Sequence, residues 1–207
     1  MQQVKIQSSA QKRANHTRRM VMTAVLSALS SVLMFFSFNV PLMPSFIKLD
    51  LSELPALIAA FSMGPVNGAI VCLIKNLVNL LFSTTGGVGE LSNFLLGVFF
   101  VVPAGLIYRV RPKLSGAIVG SIVGAALMAV LSVFSNYYVV YPIYTAFLPM
   151  EAIIGMYQAI NPKADTLWKC LLMFNMPFTF VKGMISAVIT IAVYQKIAPL
   201  INGKVAD

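Results

Sequence analysis

Asn175, Thr179 and Lys182 fall on one face of a predicted helix, with Asn175 and Lys182 seven residues, or two turns, apart. An amide, a hydroxyl and an ammonium in line make a hydrogen-bonding strip, the equipment of a solute-binding wall. An ionisable group inside an apolar helix is expensive, so it stands near a helix end or lines a cavity. Lys75-Asn76, with Asn79 one turn on, poses the same question in another apolar run. Asn79 fits a helix–helix hydrogen bond equally well, and Lys75 is expected to snorkel to the cytoplasmic side. Asn136 leads an aromatic cluster of Tyr137, Tyr138, Tyr141 and Tyr144, most of which read as an interfacial tyrosine belt. Two loops, one with Lys48, Asp50 and Glu53 and one with Glu90 and Asn93, bring carboxylates and amides to one mouth.

Catalytic chemistry finds little to work with. The single histidine, His16, lies in a basic tail, so imidazole acid–base work and metal ligation inside the apolar mass are excluded. No two carboxylates are spaced i, i+3 or i+4 within one apolar run. The segment Gly86-Gly-Val-Gly89 lacks the Lys-Ser/Thr that completes a phosphate loop, so ATP hydrolysis is not expected of this chain. Cys72 and Cys170 sit in apolar context without a CxxC partner and read as inert buried thiols. Neither a metal nor a cofactor is expected. Solute binding remains.

The elements that hold these groups are membrane helices. The chain is 58% hydrophobic and 10% charged, with a mean hydropathy of +0.85, whereas soluble domains carry about a quarter charged residues. Ten of the fifteen basic residues cluster before the first apolar run (Lys5, Lys12, Arg13, Arg18, Arg19), between two others (Arg109, Arg111, Lys113) and after the last (Lys196, Lys204). That is the distribution of cytoplasmic ends, so the net charge of +9 reports topology and no nucleic-acid partner is expected. The first run continues past Phe38 without an A-x-A-like site, which predicts a retained helix.

Six helices are expected, near 18–38, 52–64, 66–82, 90–108, 114–138 and 167–194, with both termini cytoplasmic. Ser52 is placed to cap the second, and 146–160 to form a short interfacial helix. The second and third are short for full spans; a re-entrant hairpin there also satisfies the charge parity. The expected organisation is a disordered basic tail over 1–17, an all-α integral membrane domain over 18–197, and a cytoplasmic tail over 198–207. The expected location is the cell membrane, crossed several times.

The segments Phe46-Ile-Lys-Leu-Asp-Leu-Ser-Glu-Leu-Pro-Ala-Leu-Ile-Ala-Ala-Phe61, Gly64-Pro65, Lys75-Asn76 and Thr84-Thr-Gly-Gly-Val-Gly-Glu-Leu-Ser-Asn-Phe94 resemble the substrate-binding (S) components of energy-coupling factor (ECF) vitamin importers. The resemblance covers 18–197 and is strongest to the riboflavin-specific branch. It implies six helices that hold a vitamin near the extracellular face, and partnership with a transmembrane T component and two ATP-binding subunits. It also implies docking on the T component through Ala24 and Ala28, an Ala-x-x-x-Ala pair on the first helix; Ser27 and Ser31 form a second small-residue pair.

Riboflavin needs an apolar slot for its ring and donors and acceptors for its polar edge and ribityl chain. Asn136, Asn175, Thr179 and Lys182 suit the polar contacts, and Met43, Phe46, Leu49, Tyr144 and Phe178 the ring. Lys48, Asp50, Glu90 and Asn93 either touch the solute or fix the gating loops to each other. An ammonium at Lys182 is also compatible with a phosphorylated flavin such as FMN. The alternatives are an S component for thiamine, folate or biotin, and a non-transporting accessory protein. A lipid or isoprenoid enzyme would need clustered carboxylates or a metal site.

Overall fold

A computed structural model describes residues 2–41, 43–44, 47–83, 86–146 and 148–202, with side chains at 11 and from 13 to 194 within those ranges. Helix α1 spans Gln2–Phe35. A short antiparallel ribbon comes next, β1 Phe38–Asn39 against β2 Lys48–Leu49, with Phe38 opposite Leu49 and Asn39 opposite Lys48. Then come α2 Glu53–Met63, α3 Pro65–Leu80 and α4 Val88–Val110. Helix α5 runs Leu114–Tyr144 and contains a π-helical turn at Asn136–Val140. After α6, Met150–Gln158, the last helix α7 begins as Leu167–Cys170, passes through a π turn at Leu171–Asn175 and continues as Met176–Asn202.

Among the described residues, four segments are long and apolar enough to cross a membrane: Arg13–Phe35, Val88–Val110, Leu114–Tyr144 and Leu167–Tyr194. Their outward faces carry exposed Val, Leu, Ile and Phe, as a lipid-facing surface requires. Helix α2 is apolar on every side, with Ala56, Leu57 and Ala59 fully buried, so it forms the centre of the bundle. It meets α3 at Gly64, whose φ of 102° lets the chain reverse in one residue before Pro65 starts the next helix.

Small residues set the helix spacing. A Cβ added at Gly120 would lie 2.7 Å from the Ala104 carbonyl oxygen, and one at Gly124 only 2.5 Å from that of Phe100. Helices α4 and α5 therefore touch backbone to backbone, the close approach that small residues permit in membranes.

Several local expectations change. The helical region extends back to Gln2, where a disordered tail is expected over 1–17; that stretch contains neither Pro nor Gly to stop it. The loop after α1 forms a two-stranded ribbon. Ser52 does not cap α2: its backbone is already helical and its hydroxyl is engaged elsewhere. Helix α5 continues six residues beyond Tyr138, because the π turn absorbs the irregularity. The interfacial helix is trimmed to Met150–Gln158, with Pro149 directly before it.

Candidate functional site

The two π turns carry the site. An extra residue per turn widens the helix and shifts the register of the residues beyond it, and such turns recur at functional positions. Asn136 opens the turn in α5 and Asn175 closes the one in α7. Both amides are buried and both line one cavity. Lys48 and Ile47 from the ribbon side, Glu53 at the start of α2, and Gly89, Ser92, Asn93 and Leu96 on α4 close it from one direction. Met128, Val140, Tyr141 and Tyr144 of α5, Ile153 of α6, and Phe178, Thr179 and Lys182 of α7 close it from the other.

The amides are held by neighbours. Tyr157 donates to Asn175 Oδ1 at 2.7 Å, Asn175 Nδ2 donates to Tyr141 Oη at 3.3 Å, and the two tyrosine hydroxyls are 2.5 Å apart. Ser92 donates to Asn136 Oδ1 at 3.3 Å. A buried amide tied on both sides presents a fixed pattern of donors and acceptors.

At the other end of the strip lies a buried ionic cluster. Lys182 Nζ is 2.9 Å from Asp50 Oδ2 and 3.4 Å from Glu53 Oε1, and Lys75 Nζ is 3.0 Å from the same Glu53 oxygen. Ser52 stitches the cluster together: its hydroxyl donates to Asp50 and accepts from Lys75, while its N–H donates to Asp50 Oδ1 at 2.9 Å. Burial alone would raise the Asp50 carboxyl, but the charges of Lys182 and Lys75 and the Ser52 hydrogen bond outweigh it and hold the group well below its ordinary value. Two cations face two anions, so the cluster is neutral as a unit.

Of the residues singled out from sequence, Lys48, Asn93, Asn136, Tyr144, Asn175, Phe178, Thr179 and Lys182 converge on the cavity. Asp50 stands behind its wall, as the partner of Lys182. Glu90, at the start of α4, accepts a hydrogen bond from Ser83 at 2.8 Å and joins the turn to the helix. Met43 and Leu49 are half-buried and do not line the cavity; Leu49 pairs in the ribbon. Phe46 lies outside the described residues. Lys75 does not snorkel: it is fully buried and ion-paired, because Glu53 starts the helix packed against it.

The sequence puts Glu53 at the mouth and Tyr141 in the aromatic cluster without a solute contact for either, and it does not single out Ser92 or Tyr157. A signal for Glu53 existed. Two lysines in apolar runs, Lys75 and Lys182, require two anions, and Asp50 and Glu53 flank the one serine between them.

A neutral, half-polar cavity at one end of a membrane helix bundle, with no group arranged for covalent chemistry among its lining residues, defines a solute-binding membrane protein. The chain belongs to a family of such proteins: the profile described as ECF transporter, substrate-specific component matches residues 18–194. It is 34% identical over 185 residues to the riboflavin transporter RibU of Staphylococcus aureus, covering 87% of this chain and 90% of that protein. With the riboflavin transporter FmnP of Bacillus subtilis it shares 29% identity over 189 residues, 89% of this chain and 94% of the other. Its fold is similar to that in a solved structure of the S component of a bacterial ECF transporter, with a TM-score of 0.72 and 32% identity, covering 89% of this chain and 98% of that one.

Proposed function

We propose that this chain captures riboflavin at the outer face of the cell membrane and delivers it through an ECF transporter, acting as a binding subunit and not as an enzyme. The carrying observation is the convergence of Asn136, Asn175, Thr179 and Lys182 on a cavity that Tyr144, Phe178, Leu96 and Met128 line with apolar surface. A flat ring with one polar edge needs both kinds of wall. Relatives named as riboflavin transporters across most of the chain support the choice of vitamin over thiamine, folate or biotin.

The topology that suits this role has six membrane-embedded helices and cytoplasmic termini. Arg18 and Arg19 then share a side with Arg109, Arg111 and Lys113, as the positive-inside rule requires. The cavity sits at the opposite end, facing outward. Ala24 and Ala28, exposed on α1, serve as the contact for a T component, and ATP hydrolysis belongs to two separate subunits.

Titration of detergent-purified, ligand-free protein with riboflavin, followed by flavin fluorescence, tests the proposal. Saturable one-to-one quenching, insensitive to excess thiamine or biotin, is the expected result. Folded protein that leaves flavin emission unchanged would discard riboflavin as the ligand. Trp168 is the weaker reporter, because it packs edge-on against Phe134 and Tyr137 and is absent from the cavity wall.

A further inference from the structure

Among the described residues, two fully buried side-chain oxygens of the cavity wall have no hydrogen-bond partner. Glu53 is 2% exposed and lines the cavity, yet only its Oε1 is engaged; Oε2 has no hydrogen-bond partner among the described residues. Asn93 Oδ1, also in a lining residue, is the second such atom. An unpartnered buried carboxylate oxygen is costly, because desolvation of the charged group is left uncompensated. Both of these atoms are acceptors, so the occupant must bring donors.

Lys182 stands 3.4 Å from the engaged oxygen of Glu53 and carries N–H donors of its own. The wall thus offers a donor and a free acceptor side by side. The complementary ligand edge is a carbonyl next to an N–H, which is the pattern of a cyclic imide. We propose that Glu53 is a specificity-determining residue whose free carboxylate oxygen accepts the imide N–H of the ligand ring, while Lys182 donates to the adjacent carbonyl. This rests on the riboflavin assignment, since the flavin ring carries one such imide.

The neighbouring charges make Glu53 suited to the task. Lys75 and Lys182 both contact Oε1, which leaves Oε2 for the solute. Lys75 is then a positioning residue, fully buried and held by Ser52 and Glu53. The arrangement rejects ring systems that present an acceptor or a methyl group at the imide position, because they leave the buried oxygen unpaired.

The test compares riboflavin with N3-methylriboflavin, which lacks the imide proton, on wild-type protein and on Glu53→Gln, by flavin fluorescence. Wild type is expected to prefer riboflavin by tenfold or more. In Glu53→Gln, riboflavin weakens about tenfold while the methylated analogue changes less than threefold, so the preference collapses. A purely structural Glu53 would weaken both flavins alike and keep their ratio, and that result overturns the proposal. If Glu53→Gln does not yield folded protein, Glu53→Met with Lys75→Met removes charge and counter-charge together, and the same ratio is read. Failure of wild type to bind riboflavin at all would instead fell the assignment of the vitamin.

Discussion

Lys182 Nζ and Asp50 Oδ2 are 2.9 Å apart although 132 residues separate them in sequence. This ion pair ties the last helix to the segment just after the ribbon, and it sits beside the cavity that Lys182 lines. Removing one partner leaves a buried uncompensated charge, which costs about 3–5 kcal/mol. Lys182→Met and Asp50→Asn should each lower the thermal midpoint of the purified protein by several degrees. The double variant should recover much of that stability but not riboflavin affinity, because the Lys182 donor is gone. A double variant that binds as wild type would take Lys182 out of the site.

The same pair sets a pH expectation. Asp50 titrates below its unfolded value, so its stabilising contribution is fully present above about pH 4 and is lost as pH falls through the lower, folded value. Riboflavin affinity should therefore vary less than threefold between pH 5 and 8. A steep loss near pH 6 would show that another group controls binding.

Asn175 is held by Tyr157 at 2.7 Å and by Tyr141 at 3.3 Å. Asn175→Ala removes the proposed solute contact and the amide partner that the two tyrosine hydroxyls share, so a tenfold weakening of riboflavin binding is expected, about 1.4 kcal/mol. Tyr157→Phe leaves the amide in place but freer to rotate, and about threefold is expected. Equilibrium titration of the two variants distinguishes these outcomes; a larger loss in Tyr157→Phe would mean that the tyrosine, not the amide, touches the solute.

Close helix packing makes a stability prediction independent of the ligand. Gly124→Val would drive a side chain into the Phe100 carbonyl of α4, where even a Cβ is too near at 2.5 Å. Overpacking of this kind typically costs about 1–3 kcal/mol. The thermal midpoint should fall, whereas Gly155→Ala on α6, where nothing lies within 4 Å of an added Cβ, should hold it or raise it slightly, since Ala is the better helix former.

Apolar runs, prolines and basic clusters made most of the helix order legible, because those features act locally. The strip of Asn175, Thr179 and Lys182 was legible for the same reason, since helical spacing alone puts it on one face. What sequence could not reveal is who faces whom. Lys75 is set in an apolar run with no acid beside it, and only the packing of α2 on α3 brings Glu53 to it. The π turns were invisible too, since no proline or glycine lies within 136–140 or 171–175 to announce them. Tyr141 and Tyr138 look alike as interfacial tyrosines, yet the first is buried at the cavity and the second is 69% exposed.

Helix α1 presents two faces of different character. Ser27, Ser30 and Ser31 are buried; Ser30 donates to the Ser52 carbonyl, while Ser27 and Ser31 bond back to their own helix. Ala24 and Ala28 are exposed on the other side, beside exposed Val21, Val25, Leu29 and Val32. A small-residue pair on an outward face lets a second helix approach closely, and bulky side chains there would hold it off. Ala24→Trp and Ala28→Trp should therefore leave riboflavin titrations of the isolated chain within twofold of wild type. In cells supplied with the energising subunits, the same variants should abolish riboflavin uptake and co-purification with the T component. Uptake at wild-type rates in both variants would place the docking surface on another helix.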